Sequence, residues 1–320
     1  MNTLQEIAGK LKRAKSVGIF THVRPDGDAY GSALALSLAL NKLSIPSYVC
    51  NENEPPSNLA FLTGLDKVQL APPFEAEVLI AVDASDGARL GTLSDVFFTA
   101  KNRKKTTINV DHHVSNARFA DLNYVKECAA NCINIFHLIS YMGVPFDEKM
   151  AEYLMVGLLT DSGNFSHDDV NEETFLVAAE LVKAGANVNK LTYELFKKQP
   201  KERAALHAEV MGKTRYYFDG KFAAIVISST ALEKCGADMG MTEGLVDFPL
   251  SVDTVEVAAA LLEMKKGQYK ISLRSKNYAD ANGIARTYGG GGHIRAAGCM
   301  LFGEVEEVLD KLSYTVSQYL

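Results

Sequence analysis

Residues 78–83 read Val-Leu-Ile-Ala-Val-Asp, a continuous apolar run that ends at an acidic residue. A run without polar alternation predicts a strand that is buried on both faces, as in a parallel sheet covered by helices. Similar strands are predicted at 17–20, 47–50 and 106–110, and helices at 31–43, 130–142 and 149–160. This alternation predicts an α/β fold in which the first half of the chain forms a doubly wound parallel sheet.

Polar residues that can bind a metal follow several of these elements. Asp83 ends the quoted run, Asp111 follows residues 106–110, and His22 lies just beyond residues 17–20. Because ligands of an open parallel sheet bind beyond the carboxyl ends of its strands, these side chains are expected to converge. The full set of candidates is His22, Asp26, Asp28, Asp83, Asp111, His112, His113 and Asp161.

Carboxylates crowded at one edge of a sheet would repel each other at neutral pH, and cations would relieve that repulsion. Carboxylate and imidazole ligands together suit Mn²⁺, with Mg²⁺ or Co²⁺ as alternatives. The number of ligands is sufficient for two ions if one carboxylate bridges them. Paired ions of this kind serve hydrolysis at phosphorus, so the pattern indicates a phosphate-ester hydrolase.

The second half of the chain predicts a smaller α+β domain, with strands at 222–228, 255–263 and 269–274 and a final helix at 304–319. It also contains Gly289-Gly-Gly-Gly-His293, in which bare backbone N–H groups would let a phosphate or base approach closely. Arg274 ends a predicted strand and could reach the same cleft. The predicted divisions are a catalytic domain at 1–188, a helical linker at 189–215 and a substrate-binding domain at 216–320.

Composition limits the class of protein. The 320 residues are 47% hydrophobic and 22% charged, and no apolar stretch reaches the ~18 residues that span a bilayer. Five cysteines without paired spacing favour a reducing compartment, and we expect a cytoplasmic enzyme. The net charge of −6 disfavours long nucleic acids as partners and favours small phosphorylated substrates.

With these residues identified, the chain resembles the DHH phosphoesterase family over nearly its whole length. Asp111-His112-His113 is the motif that gives the family its name, and 22–32 is similar to its first motif. Asp83 and Asp161 lie in segments that resemble two further motifs. The segment Gly-Gly-Gly-His293-Ile-Arg-Ala-Ala-Gly298 resembles the signature of the DHH-associated C-terminal domain.

The resemblance implies a role for each candidate. His22 and Asp26 would bind one metal and Asp28, His112 and Asp161 the other, with Asp83 bridging the two. His113 would donate to the scissile phosphate, and Asp111 would orient the histidines. The rest of the nucleotide would be held by a third set, Arg274, Ser275, Gly291, Gly292 and His293.

The short two-domain bacterial members imply the activity. They degrade short oligoribonucleotides (nanoRNA) to mononucleotides and dephosphorylate 3′-phosphoadenosine 5′-phosphate (pAp) to AMP. The resemblance leaves open whether this chain forms a homodimer. Hydrolysis of the linear dinucleotide pApA from cyclic-di-AMP turnover is an alternative that sequence does not separate. An inorganic pyrophosphatase is less favoured, because it would carry lysine and arginine clamps in place of the glycine-histidine loop. A non-catalytic nucleic-acid-binding module is disfavoured because no metal ligand is missing.

One segment departs from the family pattern. A small hydroxyl residue followed by an acidic one, roughly Ser-x-x-Glu, is usual at the helix start after Tyr124. Here the stretch is Asn131-Cys-Ile-Asn134, with Asn134 where a carboxylate is common. The departure leaves the metal ligands intact, but the local hydrogen bonds are expected to differ from those of the family.

Overall fold

The computed structural model describes residues 2–102 and 105–320. It divides into two compact units, one ending at Lys198 and the other beginning at Gln199. The first unit contains strands β1–β5 at Val17–Phe20, Ser47–Cys50, Val78–Val82, Thr106–Asp111 and Leu122–Val125. Its helices α1–α7 lie at Leu4–Leu11, Gly27–Lys42, Ser94–Asn102, Asn131–Met142, Glu148–Asp161, Glu172–Lys183 and Val188–Thr192.

The five strands form one sheet in the order β2-β1-β3-β4-β5, and every neighbouring pair is parallel. Alternate residues of each strand face opposite layers of the unit. Ile19 and Ile80 pack with α1, α2, α4 and α5, whereas Phe20 and Leu79 pack with α3. The α/β prediction with a parallel sheet is therefore confirmed, because apolar residues on both faces are covered.

Some predicted boundaries were wrong, each for a local reason. The helix predicted from residue 31 begins at Gly27, because Asp26 caps it by accepting from the backbone N–H groups of Asp28 and Ala29. Strand β5 was not predicted, since its four residues are only half-buried at the edge of the sheet. Helix α3, with a weaker apolar pattern, was also missed.

The second unit is built on a mixed six-stranded sheet in the order β10-β11-β9-β8-β7-β6. Strands β6–β11 lie at Arg215–Tyr217, Phe222–Ile227, Val257–Lys265, Gln268–Ser275, Gly291–His293 and Ala296–Phe302. Helices α8–α12 lie at Lys201–Met211, Ser229–Cys235, Asp247–Leu250, Ala281–Arg286 and Val305–Ser317. In the segment predicted as a linker, α7 belongs to the first unit, whereas Leu206 and Val210 of α8 pack into the second.

The second sheet carries a separate core on each face. Leu261 and Ile271 pack with α11 and α12 on one face, whereas Ala260 and Leu262 pack on the other with α8, α9 and residues near α10. Within the described ranges, no helix is both long and apolar enough to cross a membrane.

Candidate metal centre

The predicted ligands converge at the carboxyl edge of the first sheet. Strands β1, β3 and β4 are adjacent and parallel, so the residues that follow them meet at one edge. His22 and Asp83 are buried there, with Nε2 of His22 3.4 Å from Oδ2 of Asp83. His112 follows β4, and its Nε2 lies 3.4 Å from Oδ1 of Asp83.

Two further ligands come from the start of helix α2. Asp26 caps the helix with Oδ1, and its Oδ2 lies 3.8 Å from Nε2 of His22. Asp28, in the first turn, is fully buried and accepts hydrogen bonds from the backbone N–H groups of Asn131 and Cys132. Those N–H groups open helix α4, whose positive end favours a carboxylate.

Helix α5 brings the last predicted ligand. Asp161 is the final residue of α5, and its Oδ2 lies 3.4 Å from Nε2 of His112. Helix α5 approaches α2 closely at Gly157, where an added Cβ would lie 2.8 Å from Oδ1 of Asp28. The close approach of these two helices therefore brings Asp28 and Asp161 to the same histidine.

The donor atoms form three overlapping groups in which all atoms lie within 4.8 Å of one another. Asp83 and His112 each occur in two groups. The groups are His22 with Asp26 and Asp83, Asp28 with His112 and Asp161, and Asp83 with His112 and His113. The structure thus brings together every residue predicted to bind metal.

Hydrogen bonds fix the tautomers of two histidines in these groups. Nδ1 of His22 lies 2.9 Å from the carbonyl of Val23, and Nδ1 of His112 lies 2.8 Å from the carbonyl of Cys128. A carbonyl only accepts, so Nδ1 carries the hydrogen and Nε2 of the neutral ring is an acceptor. Both Nε2 atoms face carboxylate oxygens, which are acceptors too, and only a proton or a cation between them makes the contact favourable.

Asp83 is the residue whose surroundings fit a cation most closely. It has φ of 54° and is 3% exposed, and its Oδ1 is buried without a hydrogen-bond partner among the described residues. An unpaired buried carboxylate oxygen is costly unless an ion or proton satisfies it. Its two oxygens also face different histidines, as a bridging carboxylate would require.

Burial and neighbouring charges shift the pKa values of several side chains in the cluster. Burial lowers the pKa of His22, but the nearby carboxylates of Asp26 and Asp83 outweigh burial and raise that pKa to about 10. The pKa of His112 is raised to about 11, because Asp83 and Asp28 outweigh burial in the same way. Burial raises the pKa of Asp161 to about 6 despite the opposing effect of His112. The crowded carboxylates thus favour positive charge on the neighbouring imidazoles.

Asp111 and His113 form a separate pair beside the cluster. Nδ1 of His113 lies 2.8 Å from Oδ1 of Asp111, compared with 3.8 Å from Oδ1 of Asp83. The hydrogen bond to Asp111 raises the pKa of the half-buried His113. Nδ1 is therefore occupied by Asp111, and Nε2 is left to contact a substrate.

Sequence reasoning missed the amides that position this pair. Asn116 donates from Nδ2 to Oδ2 of Asp111 at 2.6 Å and to Oδ1 of Asn109 at 2.8 Å. Asn109 in turn donates to the carbonyls of Ala81 and Ala84, around the end of β3. The signal available in sequence was an asparagine five residues after Asp111, which is too common in loops to be distinctive.

Asn134 accounts for the departure from the family pattern. Its Nδ2 lies 3.2 Å from the carbonyl of Asp111 and 3.1 Å from that of Lys126, so it connects the ends of β4 and β5. A carboxylate would present an acceptor to two carbonyl oxygens, whereas the amide donates to them. In this chain an asparagine therefore suits the position better than an acidic residue would.

The predicted substrate-binding residues lie together in the second unit. Register pairs His293 with Ala296 and Ala296 with Arg274, so these side chains lie side by side on one face of the sheet. Gly291 and Gly292 form the edge strand β10, and a Cβ on Gly292 would lie 2.4 Å from the carbonyl of Ala296. Ser275 is buried, and its hydroxyl donates to the carbonyl of Ile294 rather than pointing the same way as Arg274.

Family comparisons agree with this arrangement. A model of the DHH family, N-terminal domain, matches residues 16–158, and a model of the DHHA1 domain matches residues 219–320. The chain belongs to the DHH family and is a phosphoesterase, a hydrolase of phosphate esters.

Individual relatives cover almost the full length. A protein of Thermus thermophilus named bifunctional oligoribonuclease and PAP phosphatase NrnA is 32% identical over 98% of this chain and 93% of its own. The protein of the same name from Bacillus subtilis is 25% identical over 96% of both chains.

Solved structures share the fold. An exopolyphosphatase-related protein from Bacteroides fragilis has a TM-score of 0.83 at 26% identity, covering 99% of this chain and 96% of its own. RecJ of Thermus thermophilus, in complex with Mn²⁺, has a TM-score of 0.52 at 14% identity, covering 99% of this chain and 54% of its own. The RecJ likeness is one of fold alone.

Proposed function

We propose that this chain uses two divalent cations, manganese foremost, to hydrolyse short oligoribonucleotides to mononucleotides and to convert pAp to AMP. The observation that carries the proposal is Asp83, whose two oxygens face two histidines and whose Oδ1 has no partner among the described residues. The substrate class is supported by relatives named oligoribonuclease and PAP phosphatase.

The donor groups suggest how the cations would be held. His22 and Asp26 would bind one and Asp28, His112 and Asp161 the other, with Asp83 shared. Mixed carboxylate and imidazole ligands suit Mn²⁺, with Mg²⁺ and Co²⁺ as alternatives. When bound, such ions would activate a water molecule and neutralise charge on the phosphate.

The protein's own groups would orient the phosphate and supply hydrogen bonds. In the reaction the water molecule loses a proton and its oxygen bonds to phosphorus, while the bond from phosphorus to the nucleoside oxygen breaks and that oxygen takes up a proton. In its protonated form, which the hydrogen bond to Asp111 favours, His113 is fixed through Nδ1 and would donate from Nε2 to the phosphate as charge develops. Asn116 would keep Asp111 in place for that role.

The second unit would hold the part of the nucleotide that does not react. Arg274 offers charge-assisted hydrogen bonds to a phosphate, and His293 lies on the same face of the sheet, with Ala296 between them. Gly291 and Gly292 leave backbone accessible at the sheet edge. Ser275 would support the loop through its hydrogen bond to Ile294 rather than contact substrate.

The test is hydrolysis of labelled RNAs from dimers to long strands, together with pAp and pApA, with Mn²⁺ and with EDTA. We expect rapid metal-dependent loss of the shortest RNAs and of pAp. Preference for pApA over both would favour the dinucleotide alternative. Equal attack on long strands, or hydrolysis of pyrophosphate alone, would refute the proposed substrate class.

The matched variants are Asp83→Ala and Asp66→Ala, the second being an exposed carboxylate of the same unit outside the cluster. Asp83→Ala is expected to lose turnover, because it removes the carboxylate that two donor groups share. Asp66→Ala should keep it. Retained turnover in Asp83→Ala would exclude a site in which that residue bridges two ions.

A further inference from the structure

A cavity of about 490 Å³ lies in the second unit, on the sheet face opposite α12. Pockets that bind small molecules have volumes of roughly 300–1,000 Å³, so one nucleotide fits within it. Its lining comes from three strands and from the segment before α10, and comprises Ile227, Met239, Gly240, Thr242, Glu243, Gly244, Val246, Ala260, Leu262, Met264, Lys270, Ser272 and Arg274.

Two cations line one side of the cavity. Lys270, Ser272 and Arg274 alternate along β9 and therefore point to the same face, with about 13 Å between the first and last Cα atoms. Lys270 is exposed and has no ion-pair partner among the described residues. Arg274 has one weak partner, Asp247, with Nε 3.6 Å from Oδ1.

Part of the remaining lining is apolar, and part of that is open to solvent. Met239 and Met264 are 46% and 37% exposed, and both line the cavity together with buried Val246 and Leu262. Methionine is flexible and polarisable, so it packs well against the flat face of an aromatic ring. Cations beside an apolar, methionine-lined wall suit a ligand that combines a phosphate with a planar base. Glu243 is the one acidic residue in the lining.

The cavity begins where the predicted substrate contacts end. Arg274 both lines the cavity and lies in register with Ala296, which pairs with His293. Lys270 lies four residues farther along β9, opposite Met300. A nucleotide at Arg274 and His293 would therefore have its neighbour in the chain directed toward Lys270.

We propose that this cavity is a second nucleotide subsite, in which Lys270 binds a backbone phosphate and Met239 and Met264 cover the base of the adjoining nucleotide. The inference rests on the proposed function and deepens it. The subsite would distinguish oligonucleotides from single nucleotides, because only oligonucleotides would contact it. A free inorganic anion would leave the apolar part of the lining exposed, and a purely apolar ligand would leave Lys270 without an anionic partner among the described residues.

The test compares Lys270→Ala with Lys311→Ala in the full chain. Lys311 is exposed on α12, on the opposite face of the same sheet, so it makes the same change in charge away from the cavity. KM is measured for an RNA trimer, and binding of pAp is measured either as substrate or as a competitive inhibitor of RNA hydrolysis. Melting temperatures verify that both variants fold.

Lys270→Ala is expected to raise KM for the trimer about tenfold, the size of one charge-assisted hydrogen bond. Binding of pAp should not change, and the salt dependence of the trimer KM should become shallower by about one phosphate contact. Met239→Ala should also raise KM for the trimer and leave the binding of pAp unchanged. Lys311→Ala should leave both ligands as in the wild type.

An unchanged trimer KM in Lys270→Ala, or equal losses for trimer and pAp, would overturn the subsite. An equal loss in Lys311→Ala would show an effect of overall charge instead and would also overturn it. A different result would refute the proposed function: a wild-type protein that hydrolyses neither short RNA nor pAp.

Discussion

Replacing Gly157 with alanine is expected to displace Asp28 and weaken metal binding without replacing any predicted ligand. Gly157 lies in α5, and a Cβ there would be 2.2 Å from Sγ of Cys132, 2.8 Å from Oδ1 of Asp28 and 2.9 Å from its Cα. Non-bonded atoms normally approach to about 3.5–4.0 Å, so α2 and α5 would have to separate by roughly 1 Å.

The expected magnitude follows from two opposing effects. Overpacking of a core costs about 1–3 kcal/mol, and contact with backbone places this site near the upper end. Alanine gains about 1 kcal/mol over glycine within a helix. The free energy of unfolding should therefore fall by about 2 kcal/mol. Because Asp28 moves away from His112 and Asp161, affinity for Mn²⁺ should fall by about 10–100-fold.

Urea unfolding with and without Mn²⁺ measures both quantities, since a ligand that binds only the folded protein raises its unfolding free energy by an amount set by Kd. Gly9→Ala is the matched control. It also lies within a helix, but its nearest new contact is the Arg13 guanidinium at 3.5 Å, so it should stabilise the protein and leave the Mn²⁺ response unchanged.

Adding Cys132→Ala to Gly157→Ala removes the closest atom and should restore part of the lost stability. A Gly157→Ala variant as stable as the wild type, with the same Mn²⁺ response, would refute the reasoning that close helix packing places Asp28.

Three further predictions address other parts of the molecule. Asn116→Ala should lower kcat and leave KM nearly unchanged, because Asp111 loses its 2.6 Å hydrogen bond and no longer holds His113 firmly; steady-state kinetics showing a change in KM alone would contradict this. Burial raises the pKa of Glu256, but hydrogen bonds from three successive backbone N–H groups outweigh burial and lower that pKa. The stability that Glu256 contributes is therefore complete above pH 4.5 and is lost as the pH falls through the lowered pKa. Glu256→Gln should therefore be less stable at neutral pH and less sensitive to acid, and urea unfolding across that pH range that matches the wild type would exclude this role. His293→Ala should raise KM for short RNA with little change in kcat, whereas an equal fall in kcat would place His293 among the groups that act on the reacting phosphate.

Much of the first unit could be predicted from local sequence. Val78–Val82 and its counterparts are apolar at every position, and only a sheet covered on both faces buries both sets of side chains. Since ligands gather beyond the carboxyl ends of parallel strands, the positions of His22, Asp83 and Asp111 already predicted one site. Asp26, Asp28 and Asp161 were candidates from the residues alone, and the resemblance to the family then assigned each of them to a metal. Element ends were less predictable, as the early start of α2 at its Asp26 cap shows.

The sequence by itself therefore determined the strands, the polar residues that follow them and the family to which the chain belongs, because these follow from residue type and short spacing. Only the tertiary structure decided how Asp28 contacts the start of α4, where Cys132 lies 104 residues farther along the chain. It also decided how Gly157 allows α5 to pack against Asp28. It also decided which nitrogen of His22 and His112 faces the carboxylates. These features depend on contacts between distant segments, and such contacts exist only once the sheet and helices have packed.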